Sequence, residues 1–303
     1  MSNFHKTLLP DGSRLHLQHG PIDLIIQADG DRAEVEAAYG QAERAFDGLL
    51  EELVDELSLL RSPIQELYGW PKGRVAVAMA QAASACSDVF VTPMVAVAGA
   101  VADEICKAMV KGRRLNKAYV NNGGDIAFYL TGDADFNVGV VTDVEQPQIA
   151  MTARLTVDQP IRGIATSGWR GRSHSLGVAD AVTVLARTSA QADVTATLIA
   201  NAVDPGSCPQ VVRRTANELE IDSDLGDRKV TVRVDSLSGE QIGTALRNGR
   251  DLAELYLERG LIVAAALSLG GRVEVIGDLD AVPLRPPPES VKKPMKECDH
   301  AAS

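Results

Sequence analysis

The sequence has little with which to hold nucleic acid, cross a membrane or build a crosslinked framework. Basic residues are the minority, 30 Lys and Arg against 41 Asp and Glu, giving a formal net charge of -11. A phosphate backbone is held chiefly by cationic side chains, so this balance argues against nucleic acid as a partner. No apolar run approaches the ~18 residues needed to span a bilayer, and the start, Met1-Ser2-Asn3-Phe4-His5-Lys6, has no signal-peptide core. A cytoplasmic protein without membrane contact is expected. The four cysteines, Cys86, Cys106, Cys208 and Cys298, form no Cys-x-x-Cys pair, which points away from a zinc site and from a disulfide framework. Cys86 and Cys106 lie in alanine-rich helical sequence and read as small buried apolar residues, whereas Cys208, beside Pro209, is more open to chemistry.

Histidine is scarce too. Three of the five, His5, His16 and His19, lie near the start and His300 lies in the tail, leaving His174 in the body. His16 and His19, three apart on a strand, would face opposite sides, which argues against a shared metal. His174 is the candidate general base.

What is present is ordinary for a globular chain: 45% hydrophobic and 23% charged residues, with 26 Gly and 14 Pro among the 303. We read one continuous domain over residues 1–282 and a Pro/Lys-rich tail over 283–303, expected to be disordered for want of apolar content. Alternating runs predict a hairpin within 12–28, and apolar spacing predicts one helix over 31–60. Further helices are expected within 72–86 and from Thr92-Pro93 to Gly112. Strand-like runs follow at 118–120, 126–130, 136–141, 149–157, 161–165 and 181–186. A helix capped by Ser189, a strand pair at 218–221 and 229–234, a helix opened by a Ser238/Gln241 capping box and a closing hairpin over Gly270-Gly271 complete the chain. Strand runs separated by helices allow two related halves.

Four segments could carry chemistry. Asn122-Gly123-Gly124-Asp125 reads either as a tight hairpin turn or as a backbone cradle for an anion, with Asp125 fixing a hydroxyl or a cation. Thr166-Ser167-Gly168 ends a strand. Trp169, Arg170 and Arg172 follow it as a local basic loop suited to phosphate, unless these arginines are simply solvated. Asp193 and Thr197, four apart on a helix, could share a divalent cation as hard oxygen ligands; the helix dipole alone would also favour Asp193 there.

In order, Asn122-Gly123-Gly124-Asp125-Ile126, Ala165-Thr166-Ser167-Gly168 and Ala192-Asp193-Val194-Thr195-Ala196-Thr197 resemble three motifs of the ApbE-like superfamily. Its best-known members are flavin transferases that attach FMN from FAD to protein threonine or serine with magnesium. The resemblance implies a single α+β domain of mixed and antiparallel sheets with packed helices. It also implies Mg2+ on Asp193 and Thr197, FAD or a related nucleotide at the 122–125 and 166–168 segments, and His174 in the place of a family histidine. The implied activity is that of a divergent FMN transferase or FAD pyrophosphatase, with an anionic small-molecule ligand, an acceptor protein and room for a homodimer. The chain departs from the transferases in lacking an Asp-Pro-x-Thr-Gly loop after His174, a lysine before Gly99 and an N-terminal Met-Gly-Thr segment. In this it resembles an uncharacterised branch whose members have been linked to sulfur assimilation and homocysteine formation. That implies the alternative of a sulfur-relay protein carrying a persulfide on Cys208 or Cys86.

Overall fold

The computed structural model describes residues 4–141, 149–171, 173–277 and 284–285. The chain first lays down three strands, β1 (His5–Leu8), β2 (Leu15–His19) and β3 (Ile22–Gly30), and then helices α1 (Arg32–Phe46), α2 (Leu49–Asp55), α3 (Leu57–Leu60), α4 (Arg74–Ser84) and α5 (Val97–Val110). Strands β4 (Leu115–Asn122), β5 (Asp125–Leu130), β6 (Asp135–Val141), β7 (Ile149–Thr156), β8 (Gly163–Ser167) and β9 (Ala181–Ala186) follow, then α6 (Ser189–Ala202). The last elements are β10 (Val211–Thr215), α7 (Ala216–Leu219), β11 (Lys229–Val234), α8 (Gly239–Glu258), β12 (Ala264–Leu269), β13 (Arg272–Gly277) and β14 (Leu284–Arg285).

Nine strands form one sheet in the order β1-β2-β3-β4-β5-β8-β9-β12-β13, with every neighbouring pair antiparallel. Alternation dictates its register: Leu15 and Leu17 on β2 and Ile22, Leu24 and Ile26 on β3 all turn to the same buried face. Strand β9 is buried along its whole length, as its β-branched centre predicts, because it has α6 on one side and part of a second small core on the other. Helices α5 and α6 pack on each other and on strands β4, β5, β8 and β9, forming a layer over the middle of the sheet. A three-stranded insert, β14-β7-β6, contributes Leu155 to the second core, where it meets Phe128, Ile161 and Ile164. The fold is therefore a mixed α+β structure built on an antiparallel sheet. No helix among the described residues is long and apolar enough to cross a membrane.

Four local expectations are corrected. The 31–60 helix is broken into α1, α2 and α3, because Gly48 takes a left-handed conformation (φ 77°) that an α-helix cannot continue through. The helix expected from Thr92 begins as a 3-10 turn, Pro93–Ala96, and the Thr92 hydroxyl donates to Asp224 instead of capping it. The cap of α6 is Thr188, whose Oγ1 accepts the Gln191 N–H at 3.1 Å, while Ser189 sits in the first turn. Finally, β11 pairs with β10, and residues 216–219 are helical. The Ser238/Gln241 capping box and the hairpin over Gly270-Gly271 are present. Leu284–Arg285 pair with β7; residues 286–303, including Cys298 and His300, lie outside the described residues.

Candidate functional site

The site is assembled where β5, β8, α5 and α6 meet. Strands β4 and β5 are joined by a two-residue turn in which Asn122 opposes Asp125, and Gly123 (φ 67°) and Gly124 (φ 118°) adopt angles that favour glycine. The Gly124 N–H donates to Asn121 Oδ1 at 2.9 Å, and the buried Asn122 donates to the Ala98 carbonyl at 3.1 Å, tying the turn to the start of α5. Asp125 is thereby held at the first position of β5. At the end of β8, Thr166 and Thr183 hydroxyls are 2.9 Å apart across the β8–β9 pair, and Thr197 Oγ1 on α6 lies 3.5 Å from Ser167 Oγ.

Helix α6 is pressed against its neighbours so closely that two glycines are required. A Cβ on Gly99 would lie 2.3 Å from the Ser189 carbonyl oxygen, and one on Gly163 would lie 2.1 Å from the Ser189 nitrogen. Across this contact the Gly99 N–H donates to Asp193 Oδ2 at 3.0 Å. One turn further along α5, Asp103 accepts the N–H groups of Ser189 and Ala190, both at 2.9 Å, and so satisfies two of the free donors at the start of α6.

Asn122, Gly123, Asp125, Thr166, Ser167, Gly168, Asp193 and Thr197 line one cleft of about 700 Å³. Its opposite wall is aliphatic, from α2, α3 and the segment 94–101. A second lobe of about 730 Å³ shares Asp125, Asp193 and Thr197 and adds His174. The partly exposed His174 places Nε2 3.9 Å from Glu220. Gly124 contributes to the turn without lining either lobe. Arg170 is directed elsewhere, with its guanidinium over the Trp169 ring at 4.7 Å and 3.5 Å from Asp180. Arg172 lies outside the described residues.

The electrostatics are those of acids crowded away from water. Burial pushes the Asp125 carboxyl up to about 7. Burial and, after it, the neighbouring Asp125 charge raise Asp193 well above the usual carboxylate range, against the lowering effect of the Gly99 amide. Asp103 is pushed up to about 6 by burial, partly offset by its two backbone donors. Among the described residues no ion pair compensates Asp125 or Asp193, and no group of three or more His, Cys, Asp or Glu could hold a metal. The candidate ligand set is accordingly two carboxylates and a hydroxyl, hard oxygen donors of the kind a small divalent cation takes.

Sequence reasoning missed Asp103 and Arg61. Asp103 stands four residues after Gly99 on α5, a spacing that puts both on one face and would have been the available signal. Arg61 closes α3 and reaches the cleft because the 31–60 segment bends, which no spacing in the sequence announces. Of the cysteines, Cys86 and Cys106 are buried, and burial pushes their thiols up to about 11 and about 12, away from thiolate chemistry. Cys208 is half-buried.

A model of the family described as AbpE bacteria matches residues 6–275. The chain belongs to this family. Among its relatives, a UPF0280 protein from Methanopyrus kandleri is 33% identical over 62% of this chain and 74% of that protein. A UPF0280 protein from Methanothrix thermoacetophila is 39% identical over 41% of this chain and 53% of its own length, so the match spans about half of that relative. Solved structures that resemble this AbpE-family chain include the ApbE protein from Thermotoga maritima (TM-score 0.42, 13% identity, covering 89% of this chain and 96% of that one). Another is the apo form of the Pseudomonas stutzeri flavinyl transferase ApbE (TM-score 0.38, 12% identity, 91% and 94%).

Proposed function

We propose that this protein binds a flavin or a related nucleotide diphosphate together with Mg2+ in the two-lobed cleft, and acts as a divergent FMN transferase or FAD pyrophosphatase. The observation that carries this reading is the Asp125–Asp193 pair. Two carboxylates share a cleft, neither is in an ion pair among the described residues, and burial raises the affinity of both for protons, so their charge is poorly tolerated there. A dication relieves that cost, and the donor set fits magnesium: Asp193, Asp125 and the Thr197 hydroxyl would hold it, with Ser167 beside Thr197. Bound there, Mg2+ would neutralise phosphoryl oxygens.

The chain's own groups divide the remaining work. The aliphatic wall buries the apolar part of a ligand and excludes water from the polar end. In the second lobe, His174 would serve as the base for an attacking hydroxyl. As that oxygen bonds to phosphorus and the bond to the leaving phosphate oxygen breaks, the proton passes to the imidazole. The acceptor is a protein hydroxyl in the transferase and water in the pyrophosphatase, with AMP leaving in both. The test is calorimetric titration of FAD with and without Mg2+ into the wild type and Asp193→Ala. Metal-dependent binding that the variant loses is expected; absence of metal-dependent binding in both proteins rejects the reading.

A further inference from the structure

We infer that Arg61 is the anion-binding residue of the cleft, taking a phosphate or diphosphate oxygen of the ligand across from the carboxylate pair; this takes the cleft of the proposed function as the ligand site. Arg61 ends α3 and is half-buried. Among the described residues lining either lobe it is the single Lys or Arg, and it lines both, as Asp125 and Asp193 do. Among the described residues its guanidinium makes no hydrogen bond or ion pair; Arg44, Arg187 and Arg214 are unpaired too but exposed, whereas Arg213 pairs with Asp204 at 2.8 Å, Arg259 with Asp88 at 3.1 Å and Arg74 with Glu104 at 2.6 Å.

In a chain with an excess of 11 acidic side chains over basic ones, an arginine left unpaired at the wall of an acidic cleft has given up available partners. A guanidinium offers five donors in a planar fork matched to the oxygens of a phosphate, and partial withdrawal from water strengthens such a contact. The carboxylates alone would repel an anion. A diphosphate becomes acceptable when its charge meets a dication on one side and Arg61 on the other, so Arg61 also disfavours ligands whose polar end is neutral or cationic. The basic loop at 169–172 does not supply this function through Arg170, which is spent on Trp169 and Asp180.

The test is calorimetric titration of inorganic pyrophosphate, with and without Mg2+, into wild type, Arg61→Gln, Arg61→Lys, Arg172→Gln and Arg32→Gln, the last a control at a side chain that is 92% exposed. With thermal unfolding confirming intact folds, Arg61→Gln is expected to weaken pyrophosphate about tenfold or more, Arg61→Lys less, and Arg32→Gln not at all. Affinity for Mg2+ alone is expected to stay unchanged in Arg61→Gln. The same loss with FAD extends the contact to the nucleotide; loss with pyrophosphate alone confines it to the free anion, and both support Arg61. Wild-type-like pyrophosphate binding by Arg61→Gln overturns the inference while leaving the metal reading intact, as does loss confined to Arg172→Gln. Absence of pyrophosphate binding in the wild type under both conditions overturns it as well. Arg61-dependent binding without any effect of Mg2+ sustains the inference and rejects the metal reading.

Discussion

The Gly99 N–H donates to Asp193 Oδ2 at 3.0 Å across a contact in which the backbones of α5 and α6 nearly touch. A first-turn amide of α5 is thus spent on a side chain of α6, and the site's central carboxylate inherits the rigidity of a backbone-to-backbone contact. The fold positions the candidate ligand through main chain, which no side-chain substitution elsewhere can replace.

Gly99→Ala is expected to be severe. Its Cβ would lie 2.3 Å from the Ser189 carbonyl oxygen, so α6 must shift. A loss of about 1–3 kcal/mol in urea unfolding is expected from overpacking, together with weakened Mg2+ binding as Asp193 moves. Gly69→Ala, with open space around the new Cβ and no positive φ, should stay within about 0.5 kcal/mol of wild type. Equal losses in the two variants would sink the argument.

The raised carboxylates make a signed prediction for pH. The folded protein holds protons on Asp103 up to about 6 and on Asp125 up to about 7, whereas the unfolded chain releases them near the ordinary 3.8. Between these limits the native state binds more protons, so these groups make metal-free stability fall as pH rises, levelling off above about 7. Magnesium requires the ionised forms and should do the reverse. The gain in Tm from Mg2+ should be larger at about pH 8 than at about pH 5.5, since protons compete with the metal at the lower pH. An equal gain at both values would contradict the assignment.

How much of this was legible beforehand depends on whether a feature is local. Strand β9 was readable because six consecutive apolar and β-branched residues suit a strand buried on both faces, and the Ser238/Gln241 box because its partners are three apart. The Asp193–Thr197 face and the Gly123-Gly124 turn were likewise carried by spacing. The break at Gly48 was not, since the apolar repeat runs on past it through Leu49, Leu53, Leu57 and Leu60. Everything that depended on that bend stayed hidden, including the arrival of Arg61 at the cleft. Arg170 failed differently: its charge was visible, but its partner Asp180 is brought alongside by the chain's return from β8 to β9.

Asp103 and Thr188 both satisfy the start of α6, so they separate capping from electrostatics. Thr188→Ala removes one side-chain acceptor and should cost about 1 kcal/mol with little dependence on pH. Asp103→Asn leaves an amide group facing one of two N–H donors and should cost about 1–3 kcal/mol near neutral pH. Its deficit should widen as pH falls below about 6, because the wild type gains stability by taking up the Asp103 proton in the folded state and the amide cannot. Urea unfolding across pH decides this, and parallel curves for the two variants would show that Asp103 acts as a cap and nothing more.

The cysteines give a prediction independent of any ligand. Cys106 is buried beside Asp103, and both burial and that carboxylate hold its thiol protonated; Cys86 is buried near Tyr256 and pushed up mainly by the loss of water. A thiol must be both deprotonated and reachable to attack a disulfide reagent, and neither condition holds at these two positions. In a Cys298→Ser background, one thiol, Cys208, should therefore react with an aromatic disulfide reagent in the native state, and the other two should appear only with global unfolding. Magnesium should slow their appearance by stabilising the native state, without changing the rate at Cys208. Native-state labelling of Cys86 would contradict its burial and would restore it as a candidate for sulfur chemistry; its protection until unfolding leaves Cys208 as the one described thiol on which a persulfide could be carried.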